Sequence, residues 1–215
     1  DIDLKYINPI KILVLFTFFN AWIHLQRKNV NNIFVIGILL TCAVTEIATS
    51  VFLYFNIPNG FFVSCSIIVH DLLWLALLQR NVSYTRSAGI GVQTFLIFGI
   101  VNLFFLDTSA GFNYYAFVVG AFLFVIIFLT ENLHRIKKED IEFFISDEYL
   151  LLSAPILFFV NMSLMFGFES YELGRIKVIG AFNLYDFLIY FVNISYYLLI
   201  NIYVHRNKQE KYLIN

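Results

Sequence analysis

The chain has 215 residues, of which 60% are hydrophobic and 19% aromatic, while only 13% are charged and the formal net charge is -1. A water-soluble domain of this size could not cover so much apolar surface, so a soluble globular protein is excluded. The basic residues form no dense patch, which excludes a nucleic-acid-binding surface. The composition predicts an integral membrane protein whose helices are solvated by lipid.

Apolar runs of the length needed to span a bilayer follow one another along the chain. Charged or turn-forming segments separate them, such as Ile-Pro-Asn-Gly at residues 57–60. No linker or low-complexity tract divides the chain, so we expect residues 1–215 to form a single all-α domain, a bundle of seven transmembrane helices. The predicted helices cover about residues 9–25, 33–55, 61–79, 87–106, 111–131, 149–168 and 180–204.

The basic residues of the loops predict the orientation of the bundle, because Lys and Arg accumulate on the cytoplasmic side. Four basic residues fall on the side of the N-terminus, namely Lys5, Lys11, Arg175 and Lys177. The other side receives ten, namely Arg27, Lys28, Arg80, Arg86, Arg135, Lys137, Lys138, Arg206, Lys208 and Lys211. This split predicts an N-terminus outside the cell and a cytoplasmic C-terminus.

Three carboxylates are predicted to lie inside the bilayer, where an ionisable group normally faces the bundle interior. At about 1.5 Å of rise per residue, Glu46 and Asp71 each lie roughly 13–15 Å below the outer surface. His70 shares this depth, while Asp186 and Asn161 lie about 10 Å below the same surface. We expect Asp71 to face Glu46 or Asp186, and His70 to be the only cation-forming side chain in the layer.

The last helix carries polar residues at intervals of three and four, which places them on one inward face. They are Asn183, Asp186, Tyr190, Asn193, Tyr197 and Asn201. One interpretation is structural, since such side chains commonly form hydrogen bonds between helices. The other is a ligand-binding layer reached from outside, and its predicted residues are Glu46, His70, Asp71, Asn161, Asn183, Asp186 and Tyr190.

Motifs of familiar catalytic and cofactor sites are absent from the sequence. There is no H-E-x-x-H, G-x-S-x-G, phosphate-binding glycine loop or paired C-x-x-C. The last helix has no lysine to bind retinal, which excludes a rhodopsin. Cys42 and Cys65 lie in separate helices at different depths, so no disulfide is expected. We therefore predict no catalytic residue, no metal site and no cofactor.

The longest cytoplasmic connection, residues 136–149, combines charged residues with Ile141, Phe144 and Ile145 at helical spacing. This pattern predicts an amphipathic turn that lies along the membrane interface. A docking site for a cytoplasmic partner is the alternative.

Three features of the chain carry a resemblance to a group of known proteins. They are E-I-A-T-S-V-F-L-Y-F from Glu46, the acidic Asp71 in the middle of the third helix, and F-N-Y-Y-A-F-V-V-G from Phe112. In these features the chain resembles a family of small, uncharacterised bacterial seven-helix membrane proteins, often encoded near sensor histidine kinases. The family more often has Glu at the position of Asp71. The resemblance implies a setting in signalling at a bacterial inner membrane, and it implies no activity.

These observations leave three functions open. The leading hypothesis is a sensory or regulatory protein that binds a small ligand or a proton in an outward-facing pocket and signals through a partner such as a histidine kinase. The alternative is a transporter or channel for a small solute or cation. The third is a membrane-embedded lipid-processing enzyme with His70 and Asp71 as an acid–base pair. The lipid bilayer is the expected surrounding in each case.

Overall fold

Helices dominate the fold, because inside a bilayer a helix satisfies every backbone N–H and C=O within its own segment. The computed structural model describes residues 8–106, 114–168, 176–179 and 182–213. Its helices are α1 (Pro9–His24), α2 (Val30–Tyr54), α3 (Gly60–Asn81), α4 (Thr85–Val101), α5 (Tyr114–Lys137), α6 (Ile141–Ile145), α7 (Asp147–Phe168) and α8 (Leu184–Leu213).

Six of the described helices are long and apolar enough to cross a membrane, namely α2, α3, α4, α5, α7 and α8. Helix α1 is also apolar but has only 16 residues. At about 1.5 Å per residue it is about 24 Å long, which is less than the hydrocarbon thickness of about 30 Å. The prediction of an all-α membrane protein is confirmed in this form.

The helices form a closed ring in the order α1, α2, α3, α5, α7, α8 and back to α1, while α4 lies outside the ring against α3 and α5. Side chains that point into the ring, such as Ile38, Trp74 and Phe124, are fully buried. Outward-facing positions are apolar as well, since Phe16 and Phe122 are 62% and 65% exposed. An apolar outer surface is what a lipid environment requires.

Hydropathy places the helix ends less well than the helices themselves. Helix α5 continues to Lys137 instead of residue 131, and α8 continues to Leu213 instead of residue 204. In both cases charged residues mark the edge of the apolar run but do not stop the helix. The predicted start of the last helix at residue 180 is wrong, because Phe182–Asn183 (β2) pairs as an antiparallel strand with Lys177–Ile179 (β1).

The fourth predicted helix has the expected extent but changes its winding near the end. Over Asn102–Leu106 the chain continues as a π-helix, and Asn102 there is 2% exposed. Residues 111–113, where the fifth helix was predicted to begin, lie outside the described residues.

Polar side chains join helices in the half of the bundle that contains the α1–α2 and α3–α4 connections. Asn31 of α2 and Asn81 of α3 exchange amide hydrogen bonds of 3.1 and 3.3 Å. Asn201 of α8 donates to Thr17 Oγ1 over 2.8 Å and accepts from Asn20 Nδ2 over 2.7 Å, which joins α8 to α1. Asn201 therefore has the structural role that the sequence offered as one interpretation of its stripe.

Arg135 organises the connection between α5 and α7. Its guanidinium donates to Glu131 Oε1 over 2.6 Å and to Asp140 Oδ2 over 2.7 Å, and it lies 4.6 Å from the ring centre of Phe143. The hydrogen bond from Arg135 lowers the pKa of Asp140. Asp140 also caps α6 by accepting from the backbone N–H of Phe143.

A short helix, α6, lies in the connection for which the sequence predicts an amphipathic turn. Its Phe143 is buried, whereas Ile141 and Ile145 are 72% and 70% exposed. Two exposed isoleucines beside a charged connection are typical of a segment that lies on a membrane surface.

Candidate ligand cavity

A cavity of about 580 Å³ lies inside the bundle, in the half that contains the α2–α3 and α7–α8 connections. Helices α2, α3, α5, α7 and α8 enclose it. This volume is within the range of small-molecule sites in proteins. One wall, formed by α2 and α3, is polar and comprises Thr41, Thr45, Glu46, Ser66 and His70, and α8 adds the amide of Asn193.

Helical spacing explains why these polar residues share one wall. On α3 the lining residues are Val63, Ser66, Ile67 and His70, at offsets of zero, three, four and seven, which is a single helix face. On α2 they are Thr41, Cys42, Thr45 and Glu46, which follow the same rule. The two helices are neighbours in the ring, so their polar faces meet.

Glu46 lies at the accessible part of this wall, since its side chain is 31% exposed. Lys11 of α1 approaches it, with 3.9 Å between Nζ and Oε2. The same ammonium donates a shorter hydrogen bond of 2.7 Å to Ser50 Oγ. The expectation that His70 is the only cation-forming side chain at this depth is therefore wrong, because α1 brings Lys11 to the carboxylate.

His70 and Asp71 form the floor of the cavity and the support behind it. His70 lines the cavity, and its Nδ1 lies 2.9 Å from Asp71 Oδ1. Asp71 is fully buried, and its Oδ2 has no hydrogen-bond partner among the described residues. A Cβ placed on Gly120 of α5 would lie 2.6 Å from that oxygen. Asp71 thus faces α5 and differs from the expectation that it faces Glu46 or Asp186.

A chain of hydrogen bonds continues from His70 into the core. Trp74 Nε1 donates to Tyr196 Oη over 3.0 Å, and Tyr196 Oη lies 3.4 Å from His70 Nε2. An indole can only donate, so Tyr196 accepts from Trp74 and has its own proton for Nε2 when the imidazole is neutral. The direction of donation then runs from Trp74 through Tyr196 and His70 to Asp71.

Aromatic side chains of α5, α7 and α8 form a second, aromatic wall of the cavity, namely Phe117, Phe158, Phe166, Tyr185 and Tyr197. The three phenylalanines contact one another: the centroid of Phe117 lies 5.9 Å from that of Phe158 and 5.4 Å from that of Phe166, both edge to face. Phe158 also stacks on Tyr196 at 5.1 Å. Interlocked rings of this kind give the wall a fixed shape.

A row of aromatic rings, the aromatic column, connects the floor with the other end of the bundle. It consists of Trp74, Phe124, Phe128, Tyr149 and Phe143, whose successive ring centroids are 6.0, 6.4, 5.9 and 5.5 Å apart. The last ring is the one over which Arg135 lies. The column therefore reaches from Trp74, which donates a hydrogen bond to Tyr196, to the connection between α5 and α7.

No protein-family model, curated protein or solved structure matches this chain. The function has to be inferred from the geometry of the cavity.

The remaining predicted site residues do not line the cavity. Asn161 donates to the backbone oxygen of Leu157 on its own helix over 3.0 Å. Asn183 Oδ1 accepts from the backbone N–H of Asp186 over 2.7 Å, which caps the first turn of α8. Tyr190 is half-buried on α8, one helical turn before Asn193. Of the seven predicted residues, the cavity brings together Glu46 and His70, with Asp71 behind them.

Most residues that line the cavity were not among the predicted site residues, including Thr41, Thr45 and Ser66 of the polar wall. Asn193 and Tyr197 belong to the predicted polar stripe of the last helix and both line the cavity. They are four residues apart and therefore on one helix face, so this spacing could have identified them as site residues. Tyr196 sits beside this stripe, and only the partner Trp74 on α3 reveals its role.

The side chains that line the cavity can bind a small molecule. Within the described ranges, no group of three His, Cys, Asp or Glu residues is placed to hold a metal ion. Ser66 donates its hydroxyl proton to Phe62 O over 2.9 Å, so His70 does not activate it as a nucleophile. The cavity combines a carboxylate, an imidazole and an aromatic wall, which suits recognition of a small molecule.

Proposed function

We propose that the chain is a membrane-embedded sensory or regulatory protein, which binds a small ligand or a proton in this cavity and signals through a partner. The observation that carries the proposal is the cavity of about 580 Å³, with its polar wall, its aromatic wall and its closed floor.

In this proposal seven helices cross the bilayer, with the N-terminus outside and the C-terminus in the cytoplasm. The packing of α1 between α2 and α8 supports counting it as the seventh span. The orientation is supported by the ten basic residues on the side opposite the cavity. The cavity then opens away from the cytoplasm, and the resemblance suggests the inner membrane of a bacterium.

The closed floor favours a receptor over a channel or transporter. Below His70, the side chains of Trp74, Leu78 and Phe124 are fully buried in the ring of helices. Protein interiors of this kind are packed as densely as organic crystals and leave no path for a solute. A ligand that enters from the outer end would stop at His70.

The aromatic column supports transmission of a signal to the opposite face. A ligand that displaces His70 also changes the environment of Tyr196, which holds the indole of Trp74. Trp74 is the first ring of the column, and Arg135 lies over its last ring. A ligand can shift such a system only by binding one arrangement better than another.

A cavity-blocking variant tests the proposal. Ser66→Trp places a large side chain in the cavity, whereas Val69→Trp places the same side chain at a position of α3 that is 46% exposed at the outer surface of the bundle. Purified protein in lipid nanodiscs would be screened for thermal stabilisation by cationic, neutral and anionic small molecules and by a change of pH. We expect stabilising conditions that act on the wild type and on Val69→Trp but not on Ser66→Trp.

Two results would speak against the receptor. If no condition stabilises the wild type, or if Ser66→Trp responds like Val69→Trp, the cavity is not a binding site. If a stabilising compound accumulates in tight vesicles that contain the protein, the transporter alternative replaces the receptor. Ligand binding is also expected to change hydrogen exchange of backbone amides at residues 131–147, at the far end of the column.

A further inference from the structure

We infer that the ligand of this cavity is a small organic cation, namely a protonated amine attached to an apolar body. The inference rests on the proposed function, because it names the chemical class of molecule that the cavity binds. The hydrogen-bonding capacity of the polar wall, the charge of the site and the aromatic wall each lead to this class.

The hydroxyl groups of the polar wall offer acceptors to a ligand and no donors. Thr41 donates its proton to Gly37 O over 2.9 Å, Thr45 donates to Thr41 O over 2.7 Å, and Ser66 donates to Phe62 O over 2.9 Å. A hydroxyl has a single proton, so each oxygen can only accept from the cavity. An ammonium group has only donors, which makes it the complement of this wall.

The carboxylate of Glu46 adds a negative charge that its surroundings leave available. Neither of its oxygens accepts a hydrogen bond from another described residue. Lys11 does not line the cavity, its ammonium is 3.9 Å away, and its short hydrogen bond is to Ser50. Glu46 can therefore form a charge-assisted hydrogen bond with a ligand, which is about twice as strong as a neutral one.

The floor of the cavity supplies no excess positive charge. The 2.9 Å contact between His70 and Asp71 needs one proton between the two groups. The pair has a charge of minus one if the ring is neutral and Asp71 ionised, and zero if either group takes up a further proton. A charged ring beside a protonated Asp71 would leave the acid proton without an acceptor, since Oδ2 faces Gly120. With Glu46 and Lys11 included, the sum is zero or negative.

The aromatic wall suits both parts of such a ligand. The faces of aromatic rings carry negative charge density and attract cations, and recognition of quaternary ammonium groups uses this attraction. Phe117, Phe158 and Phe166 also provide an apolar surface for the body of the ligand. An anionic ligand would find no hydroxyl donor on Thr41, Thr45 or Ser66, because each of these protons is already donated to a backbone oxygen.

Cys42 provides a probe of the charge inside the cavity, because it lines the cavity one helical turn before Glu46. In a Cys65→Ser background, its reaction rates would be measured with two methanethiosulfonate reagents, one bearing a trimethylammonium group and one a sulfonate. Each rate would be normalised to the reaction with a free thiol in solution. We expect the cationic reagent to react faster than the anionic one.

The matched variants are Glu46→Gln and Asp186→Asn, since Asp186 does not line the cavity. Residues four apart on a helix have Cβ atoms about 5–6 Å apart, so the charge of Glu46 acts on a charged reagent at Cys42 over about this distance. Even with the dielectric constant of water, removal of that charge would change each rate about threefold, in opposite directions for the two reagents, and their ratio about tenfold. We expect Glu46→Gln to lower the ratio by this factor and Asp186→Asn to leave it unchanged. An unchanged ratio in Glu46→Gln, or faster reaction of the anionic reagent with the wild type, would overturn the inference that the ligand is a cation. The proposed function would still stand in that case, because the reaction shows that Cys42 is accessible. Absence of any reaction would contradict the open cavity and with it the proposed function.

A pair of soluble probes completes the test. The compounds 2-phenylethylamine and 2-phenylethanol have nearly the same shape, but only the amine is charged at neutral pH. We expect the amine to protect Cys42 from labelling at concentrations at which the alcohol does not, and Glu46→Gln to abolish the difference. Equal protection by the two compounds, including none by either, would contradict the inference.

Discussion

Gly120 allows the most direct test of the site, because a single added methyl group would meet the buried Asp71. In Gly120→Ala, the new Cβ would lie 2.6 Å from Asp71 Oδ2 and 2.9 Å from Phe95 Cε2. Both neighbours are fully buried and cannot move into open space. Overpacking of this kind costs about 1–3 kcal/mol, and the helix gains back about 0.5–1 kcal/mol when Gly becomes Ala. We expect a net loss of up to about 2.5 kcal/mol.

Gly37→Ala is the matched control. Gly37 lies in the middle of α2, and its added Cβ would lie 3.7 Å from Leu73 Cδ1. This distance is an ordinary van der Waals contact. The gain in helix propensity is common to both variants, so the difference in unfolding free energy between them measures the clash alone, about 1–3 kcal/mol. The assay is unfolding by SDS in mixed micelles, followed by the fluorescence of the buried Trp74. If Gly120→Ala is as stable as Gly37→Ala, the placement of Asp71 against α5 is wrong.

A double-mutant cycle identifies the partner in the clash. Asp71→Ala removes the carboxylate and makes room for the methyl group at Gly120. We expect Gly120→Ala to cost less in this background than in the wild type, because residues in contact are not additive. Equal costs in the two backgrounds would show that Asp71 is not the neighbour that opposes the substitution.

Two further predictions concern single hydrogen bonds. Tyr196→Phe leaves the buried indole N–H of Trp74 without its acceptor, so we expect a loss of about 1–3 kcal/mol in unfolding free energy and a shift in tryptophan emission; wild-type stability would refute the bond. The lowered pKa of Asp140 means that its ion pair with Arg135 stabilises the fold at neutral pH and is lost as the pH falls through that pKa. The melting temperature of Asp140→Asn, which keeps a capping oxygen, should therefore lie below that of the wild type at pH 7 and approach it in acid, and a constant difference would contradict the pairing.

The helices and the depth of two site residues could be predicted because hydropathy and helical rise are local properties. Glu46 and His70 were placed at one depth from the rise alone, and both line the cavity. The direction of Asp71 could not be predicted from its position next to His70. The adjacent residues Ser66 and Ile67 both line the cavity, whereas Asp71 does not.

The order of helices in the ring could not be predicted, because periodicity assigns each helix an inner face but no neighbours. The approach of Lys11 to Glu46 follows from α1 packing between α2 and α8, and the position of α4 outside the ring follows from the same order. Helix ends are uncertain for another reason. Charges such as those of Arg206 and Lys208 mark the end of the apolar run, whereas α8 continues beyond them to Leu213.

The aromatic column has a mechanical consequence for the bundle. Interlocked rings resist compression and can rearrange only by turning as whole units, so a packed row has a few discrete positions instead of a continuous range. If a ligand displaced Trp74, the rings up to Arg135 would accordingly change position in one discrete rearrangement and not by a gradual shift.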